Sequence, residues 1–347
     1  MKENELSRSK GDDRPILISG FGSIGRRHLY NLQKLGYENI ILYRTGKSLL
    51  PKEELEKLPT EYDLASALTR CPKAAIISNP TALHLDVALP AARAGCHLLI
   101  EKPVSHSLKG LDDLKVIVQE KNLQVLVGFQ FRFHPGLRAI KQLLDDGVIG
   151  KVIYAHAHWG EYLPDWHPWE DYRQSYSARS DLGGGVVLTL CHPFDYLRWL
   201  LGEVEAVSAM AVNLESLETD VEDTSNVTLR FRSGVIGMVH LDYVQRPPSH
   251  TLHLTGNKGL IKWDYSDGTV YYYLSETDEW NTIPVPQDFE RNTMFLDEMR
   301  HFMDCVEGRT ESLITLDDGI RALEIALAAK QAAAEERVIE IGDKTFS

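Results

Sequence analysis

Two domains, the first of the α/β class, are predicted by three observations. The chain has 347 residues with 43% apolar content, more than one ordinary core organises. Its N-terminal third alternates short apolar runs with helix-like spacings, the first strand and helix being joined by a glycine turn. Its second half carries a strand–turn–strand unit.

Taken in order, residues 1–14 are polar and charged, without the apolar stretch of a signal peptide, and read as a flexible tail. Ile16 to Ile18 form a buried strand running into Gly20-Phe21-Gly22-Ser23-Ile24-Gly25. A helix follows with Leu29, Leu32 and Leu35 on one face and Gly36 as its stop, then a second strand at Ile40 to Tyr43. Ala74 to Ser78 is the next strand, followed by Asn79-Pro80 and a helix closed by Gly95. Pro90 inside that helix predicts a kink or a split. His97 to Ile100 is a strand delivering Glu101-Lys102-Pro103. Ser107 is placed to cap the next helix, which buries Leu111, Leu114 and Val118. Val125 to Val127 is the last strand before Phe129-Gln130-Phe131-Arg132, so the first domain spans 15–130 and the second 131–347. In the second, Lys151 to Trp159 reads as a strand. Thr224 to Arg232 and Val235 to Tyr243 flank a Ser233-Gly234 turn, and helices lie near Phe295 to Val306 and Asp318 to Ala334.

Composition excludes several function classes. Net charge is −13 with no basic block beyond Arg26-Arg27, a field that repels nucleic acid and anionic membranes. No apolar run approaches the roughly 20 residues needed to span a bilayer. Cys71, Cys96, Cys191 and Cys305 have no paired spacing, which fits reduced thiols and a cytoplasmic location. His156 and His158 share one strand face, but no third ligand is evident, so no metal is expected.

The glycine turn indicates a dinucleotide. Gly20 permits the tight turn, Gly22 lets the backbone approach a pyrophosphate, and Gly25 lets helix and strand pack closely. The helix N-terminus offers free N–H groups to phosphate. The alternative is a glycine turn that binds nothing, but the strand–turn–helix–strand setting favours the dinucleotide. After the second strand the sequence is Tyr43-Arg44-Thr45-Gly46-Lys47-Ser48, without the carboxylate that would hold an NAD ribose. Arg44, helped by Thr45, Lys47 or Ser48, suits the 2′-phosphate of NADP, so NADP is favoured over NAD. A solvated basic loop in an enzyme accepting either cofactor is the alternative.

Four features together carry a family resemblance: the glycine motif, Asn79-Pro80-Thr81 with His84, Glu101-Lys102-Pro103, and Arg132-Phe133-x-Pro135. With the later Gly183-Gly184-Gly185…His192-x-x-Asp195 segment, the chain resembles the Gfo/Idh/MocA oxidoreductases from about Ile16 to the C-terminal helix. The resemblance implies a Rossmann domain and then a domain built on an open, largely antiparallel sheet. It also implies a last helix (about 316–335) packing back on the first domain, and a homodimer or homotetramer formed through the exposed sheet face. Cofactor contacts are implied at Asn79, Pro80, His84, Glu101, Lys102 and Gln130. The reaction implied moves a hydride to or from a secondary alcohol of a sugar, polyol, glycoside or nucleotide sugar. A redox-assisted glycosidase and a non-catalytic dinucleotide sensor are the alternatives.

Such chemistry needs a proton acceptor and a cation for the developing alkoxide. Lys102 emerges from a strand end, where ligands of open α/β sheets bind, and the resemblance puts it beside the nicotinamide. His192 matches the family's general acid/base, a task suited to imidazole. The common pattern has Asp four residues before this His; here Leu188 holds that place and Thr189 lies three before. Asp195 is a conceivable orienter of His192. Pro193 predicts a kink or a helix restart. Three of the six tryptophans fall between Trp159 and Arg173. Trp159, Trp166, Tyr172 and Arg173, with Arg132, Thr189, Lys102 and His192, are the candidate substrate contacts, since aromatic faces stack on sugar rings and charged groups bond hydroxyls. Arg173 and Arg179 also suit a carboxylate or phosphate. An interface-anchored loop is the competing reading of this aromatic segment.

Overall fold

The computed structural model describes residues 12–45 and 58–342; Lys47 and Ser48 lie outside them, as does residue 1–11 of the tail. Strands β1 (Ile16–Ser19), β2 (Ile40–Tyr43), β3 (Thr60–Glu61), β4 (Ala74–Ile77), β5 (His97–Glu101) and β6 (Val125–Gly128) form one wholly parallel sheet in the order β3-β2-β1-β4-β5-β6. Helices α1 (Ser23–Lys34), α2 (Leu64–Thr69), α3 (His84–Arg93) and α4 (Leu111–Glu120) connect them. Ile16 to Ile18, Ala74 to Ile77 and Leu98 to Ile100 are all buried, as strands covered on both faces must be.

Two local expectations are corrected. Helix α3 runs unbroken through Pro90; it starts at His84, after a separate short turn at Thr81–Leu83. Ser107 does not cap α4. The helix starts four residues later, after Gly110 in the left-handed region at φ +84°, so the cap position is set by backbone freedom instead of a hydroxyl.

Beyond β6 come α5 (Pro135–Asp145), β7 (Val152–Tyr162), the short α6 (Val186–Thr189) and α7 (His192–Leu201). Then follow β8 (Val204–Val212), β9 (Thr224–Phe231), β10 (Ile236–Asp242), β11 (Val244–Gly256), β12 (Gly259–Asp264), β13 (Val270–Leu274) and β14 (Glu279–Ile283). Helices α8 (Arg291–Val306) and α9 (Leu316–Glu335) and the short β15 (Ile339–Glu340) close the chain. The second sheet has nine strands in the order β14-β13-β12-β11-β7-β10-β9-β8-β15, antiparallel except where β10 pairs with β7. One face is core: Ala155, Ala157 and Trp159 of β7 and Val239 and Leu241 of β10 are buried. Met210, Ile236 and Met238 stand exposed on the other.

Helix α9 begins with a reciprocal cap in which the Thr315 N–H donates to Asp318 and the Asp318 N–H donates back to the Thr315 hydroxyl. It then crosses to the first sheet. A Cβ on Gly319 would fall 2.6 Å from Val127 of β6, so only glycine allows this approach. Val127 also donates its N–H to the Ile314 carbonyl at 3.0 Å. On the other side α8 meets α1: Asn292 donates to Asn31 at 2.9 Å, and the Arg27 guanidinium lies 4.3 Å above the Phe295 ring. These contacts bring α6 and α7 over the carboxyl ends of β5 and β6.

Candidate active site

The glycine turn fits a pyrophosphate on its own geometry. Gly20 has φ +87°, and a Cβ there would lie 2.7 Å from the Asn79 nitrogen; one on Gly25 would lie 2.4 Å from the Gly20 carbonyl. Gly22 meets nothing within 4 Å, and no side chain caps α1, so the first-turn N–H groups face open space as an anion site requires. Ser23 is exposed, Ile24 half-buried, and Phe21 turned into the core. Arg44 is half-buried and Thr45 exposed at the end of β2, the Arg44 Nε without a partner among the described residues.

The candidate reacting groups come together at the ends of β5 and β6. Lys102 donates from Nζ to the Thr189 carbonyl at 2.8 Å, which leaves two of its protons for other acceptors. Burial works against its charge, but Tyr176, Cys191, Glu101 and Glu161 act the other way and hold its pKa above the ordinary lysine value. The Lys102 side chain is therefore a cation. His192 is buried between aromatic rings, with Phe131, Trp159 and Phe129 centred 4.9, 5.4 and 5.6 Å away. The Gln130 amide nitrogen is 3.3 Å from its Nε2, and its Nδ1 has no partner among the described residues. Burial first, then the charges of Lys102, His250 and Arg291, push its pKa well below the usual histidine range. A neutral imidazole thus faces a fixed ammonium.

Helix geometry explains how His192 is presented. The helix restarts: α6 ends at Thr189, α7 begins at His192, and Pro193 sits in the first turn, where its missing N–H removes no bond. Asp195 does not orient His192. Both of its oxygens are held by Arg132, at 2.9 and 2.6 Å, with Asp318 a further partner of that guanidinium at 3.3 Å. The same pairing corrects Arg132 as a substrate contact, since it is 7% exposed and faces carboxylates at the junction of α7 and α9.

Most other candidates sit apart from Lys102 and His192, Trp159 excepted. His84 is buried, with its ring nitrogens 3.0 Å from the Pro103 carbonyl and 2.9 Å from that of Asn79. It ties two loops together and presents no free nitrogen to a ligand. Asn79 itself donates to the Leu83 carbonyl at 2.8 Å, next to Pro80 at the start of the short turn, and its Oδ1 is unpartnered. Arg173 pairs with Asp171 and Glu218, Arg179 with Asp181, and Tyr172 donates to the Leu217 carbonyl, so neither arginine is free for an anion. Trp166 packs edge-on to Tyr243 at 5.6 Å. Trp159 stacks on His250 at 4.3 Å and backs His192.

Spacing gave no hint of a buried carboxyl pair below the site. Glu101 accepts from, or shares a proton with, His28 Nε2 at 2.7 Å. Burial opposes its ionisation, but His28 and Lys102 bring its pKa below the ordinary value. Glu298 of α8 is fully buried, and neither of its oxygens has a hydrogen-bond partner among the described residues. Burial, reinforced by the Glu101 charge, raises its pKa well above the usual range, so it stays protonated. A raised folded-state pKa means that Glu298 favours the fold at low pH and loses that contribution as pH climbs through the raised value. Glu298→Gln, which mimics the neutral acid, should therefore gain on the wild type in melting temperature as pH rises from about 5 to 9. A difference independent of pH would show that Glu298 is ionised in the fold.

A dinucleotide turn, a strand-end lysine and a buried imidazole together define a nucleotide-binding oxidoreductase. The family model for an oxidoreductase with an NAD-binding Rossmann fold matches residues 15–129, and that for the GFO/IDH/MocA C-terminal domain matches 137–262. The chain belongs to the Gfo/Idh/MocA oxidoreductase family. It is 27% identical to the myo-inositol 2-dehydrogenase of Thermotoga maritima over 94% of this chain and 98% of that protein. It is likewise 27% identical to the 1,5-anhydro-D-fructose reductase of Ensifer adhaerens over 85% and 84%. A levoglucosan dehydrogenase solved with NADH and levoglucosan superposes with a TM-score of 0.83 at 19% identity, over 94% of this chain and 99% of that one. Among the described residues no helix is long and apolar enough to cross a membrane.

Proposed function

We propose that this oxidoreductase interconverts a secondary alcohol and a ketone on a small sugar or polyol, with Lys102 stabilising the oxygen's negative charge and His192 carrying its proton. The observation that supports this most is that the Lys102 ammonium is held by the Thr189 carbonyl, three residues before His192, so that one short segment holds a cationic lysine and carries a neutral, buried imidazole. The bound nicotinamide supplies the hydride acceptor or donor. In the oxidation direction His192 accepts the hydroxyl proton, Lys102 offsets the charge left on oxygen, and Gln130 and the aromatic walls hold the imidazole in place. Residues 15–130 hold the cofactor, and the second domain supplies the walls of the substrate site. Glycosides and nucleotide sugars fall within the same alcohol chemistry.

Arg44 favours NADP, since its Nε has no partner among the described residues and the sequence after β2 offers no carboxylate up to Ser48. Four free thiols suit a cytoplasmic enzyme. The exposed sheet face, with Met210 at 78% exposure and Trp280 at 50%, suits a contact between copies in a homodimer or homotetramer.

Nicotinamide absorbance, followed with NAD and NADP against neutral polyols, sugars, sugar acids, glycosides and nucleotide sugars, tests the reading. Wild-type turnover should fall by about 10²- to 10⁴-fold in His192→Ala. Because its pKa is depressed, His192 remains a base across neutral pH, and the acid limb of kcat/KM for oxidation should lie below the ordinary histidine range. Turnover undiminished in His192→Ala would remove His192 from the mechanism. Arg44→Ala should raise the KM for NADP and leave that for NAD in place; an equal change in both would show that Arg44 does not choose between the two cofactors.

A further inference from the structure

We propose that Glu161 selects a neutral polyhydroxy substrate over an anionic one, its carboxylate accepting hydrogen bonds from hydroxyls remote from the reacting carbon. The inference rests on the reading of the Lys102–His192 cleft as the reaction site. Along β7 the side chains alternate, and Ala155, Ala157 and Trp159 are the buried members of the inner face. Glu161 is therefore the next residue on that face, about 7 Å along the strand from Trp159, whose ring lies 5.4 Å from His192. It is half-buried and makes no hydrogen bond or ion pair among the described residues. Lys102 and the Tyr265 hydroxyl both feel its charge without bonding to it. Tyr265 is itself in ring contact with Phe131, 5.4 Å away, and so with the wall of His192.

A sheltered carboxylate with no protein donor is supplied by water or by a ligand. The neighbouring carboxylates are already used: Glu101 by His28, Glu222 by Lys330, and Asp242 by His240 and two backbone N–H groups. A carboxylate accepts up to four hydrogen bonds and donates none, which matches adjacent hydroxyls and repels a carboxylate or phosphate. Two cations also act here: Arg27, in the second turn of α1, and Arg291, at the start of α8, both reach Tyr265 with their charge, and that of Arg291 reaches His192 as well. Glu161 offsets them, so its neutralisation in Glu161→Gln leaves the cations to favour an anion.

The test compares wild type, Glu161→Gln and Glu161→Asp with cofactor present, on myo-inositol and levoglucosan as neutral probes and glucuronate as the anionic one. For the neutral substrate that the wild type turns over, Glu161→Gln should raise KM about 10- to 100-fold, with NADH affinity and melting temperature retained, and glucuronate should gain relative to it. Glu161→Asp, which keeps the charge on a shorter arm, should fall between. An unchanged KM in Glu161→Gln, or a wild type that prefers glucuronate, overturns the inference and leaves the cleft reading standing. A wild type silent on all three probes, and on the wider panel above, overturns the cleft reading and the inference with it. Should Glu161→Gln fail to fold, the KM of Glu161→Asp decides on the same terms.

Discussion

Lys102→Ala is expected to lose about 10²- to 10³-fold in kcat while dinucleotide binding survives. The lysine is fixed at the end of β5, its Nζ held by the Thr189 carbonyl, so its remaining protons point where an oxygen's charge would grow. Because it is tethered, little reorganisation accompanies that step, which is the condition under which a preorganised charge acts most strongly. Binding should survive because the phosphate cradle depends on Gly20, Gly22 and Gly25 and on the uncapped end of α1, none of which Lys102 supports. Two readouts separate the roles: NADH fluorescence titration for binding, and steady-state oxidation of the substrate for chemistry. Lys102→Arg should recover only part of the loss, since a planar fork replaces a compact ammonium. Loss of NADH binding in step with kcat would make Lys102 a cofactor anchor. Retained kcat would leave the alkoxide to another group, with the Tyr176 hydroxyl, which also acts on Lys102, the next candidate.

The parallel sheet was legible because each of its longer strands is a local apolar run punctuated by glycine or proline, and the glycine motif carries its reason within six residues. Lys102 and His192 were singled out for the same cause: one follows a strand end, the other a glycine series. What the chain leaves unwritten is pairing over distance. Arg132 and Asp195 are 63 residues apart, and each was read as a site residue because a charged side chain near a motif gives no sign of what neutralises it. Asp195, three positions after His192, looked like its orienter, yet the guanidinium from the end of the first sheet reaches it instead. Glu298 lies in an unremarkable amphipathic helix, and burial becomes visible only when α8 meets α1. Strands β11 to β14 were likewise hidden, their alternation broken by Arg246-Pro247-Pro248 and by runs such as Tyr271-Tyr272-Tyr273. Pro193 was legible in kind: a proline that cannot sit inside a helix marks where one starts.

Arg132→Met should destabilise the fold by about 3–5 kcal/mol, the size expected when one member of a buried ion pair is removed. Arg132 is 7% exposed and Asp195 1%, and the two share a bidentate contact that also engages Asp318 and the Leu313 carbonyl. Arg198 meets the same Asp318 oxygen at 2.6 Å, so the second carboxylate keeps a partner after the substitution, while Asp195 keeps no hydrogen-bond partner among the described residues and only the charge of Arg198. The cost therefore falls on Asp195. The double variant Arg132→Met with Asp195→Leu, which removes both charges, should recover a substantial part of the lost stability, because a buried pair exchanged for apolar groups of similar volume is often neutral. Denaturant unfolding followed by tryptophan fluorescence measures both. The network also joins the segment after β6 to α7 and α9, so the single variant should loosen α7, which presents His192, and lower kcat with it. A single variant no less stable than wild type would mean that Asp195 finds water or another cation in place of Arg132. A double variant as unstable as the single one would place the loss in packing between α7 and α9 rather than in the uncompensated charge.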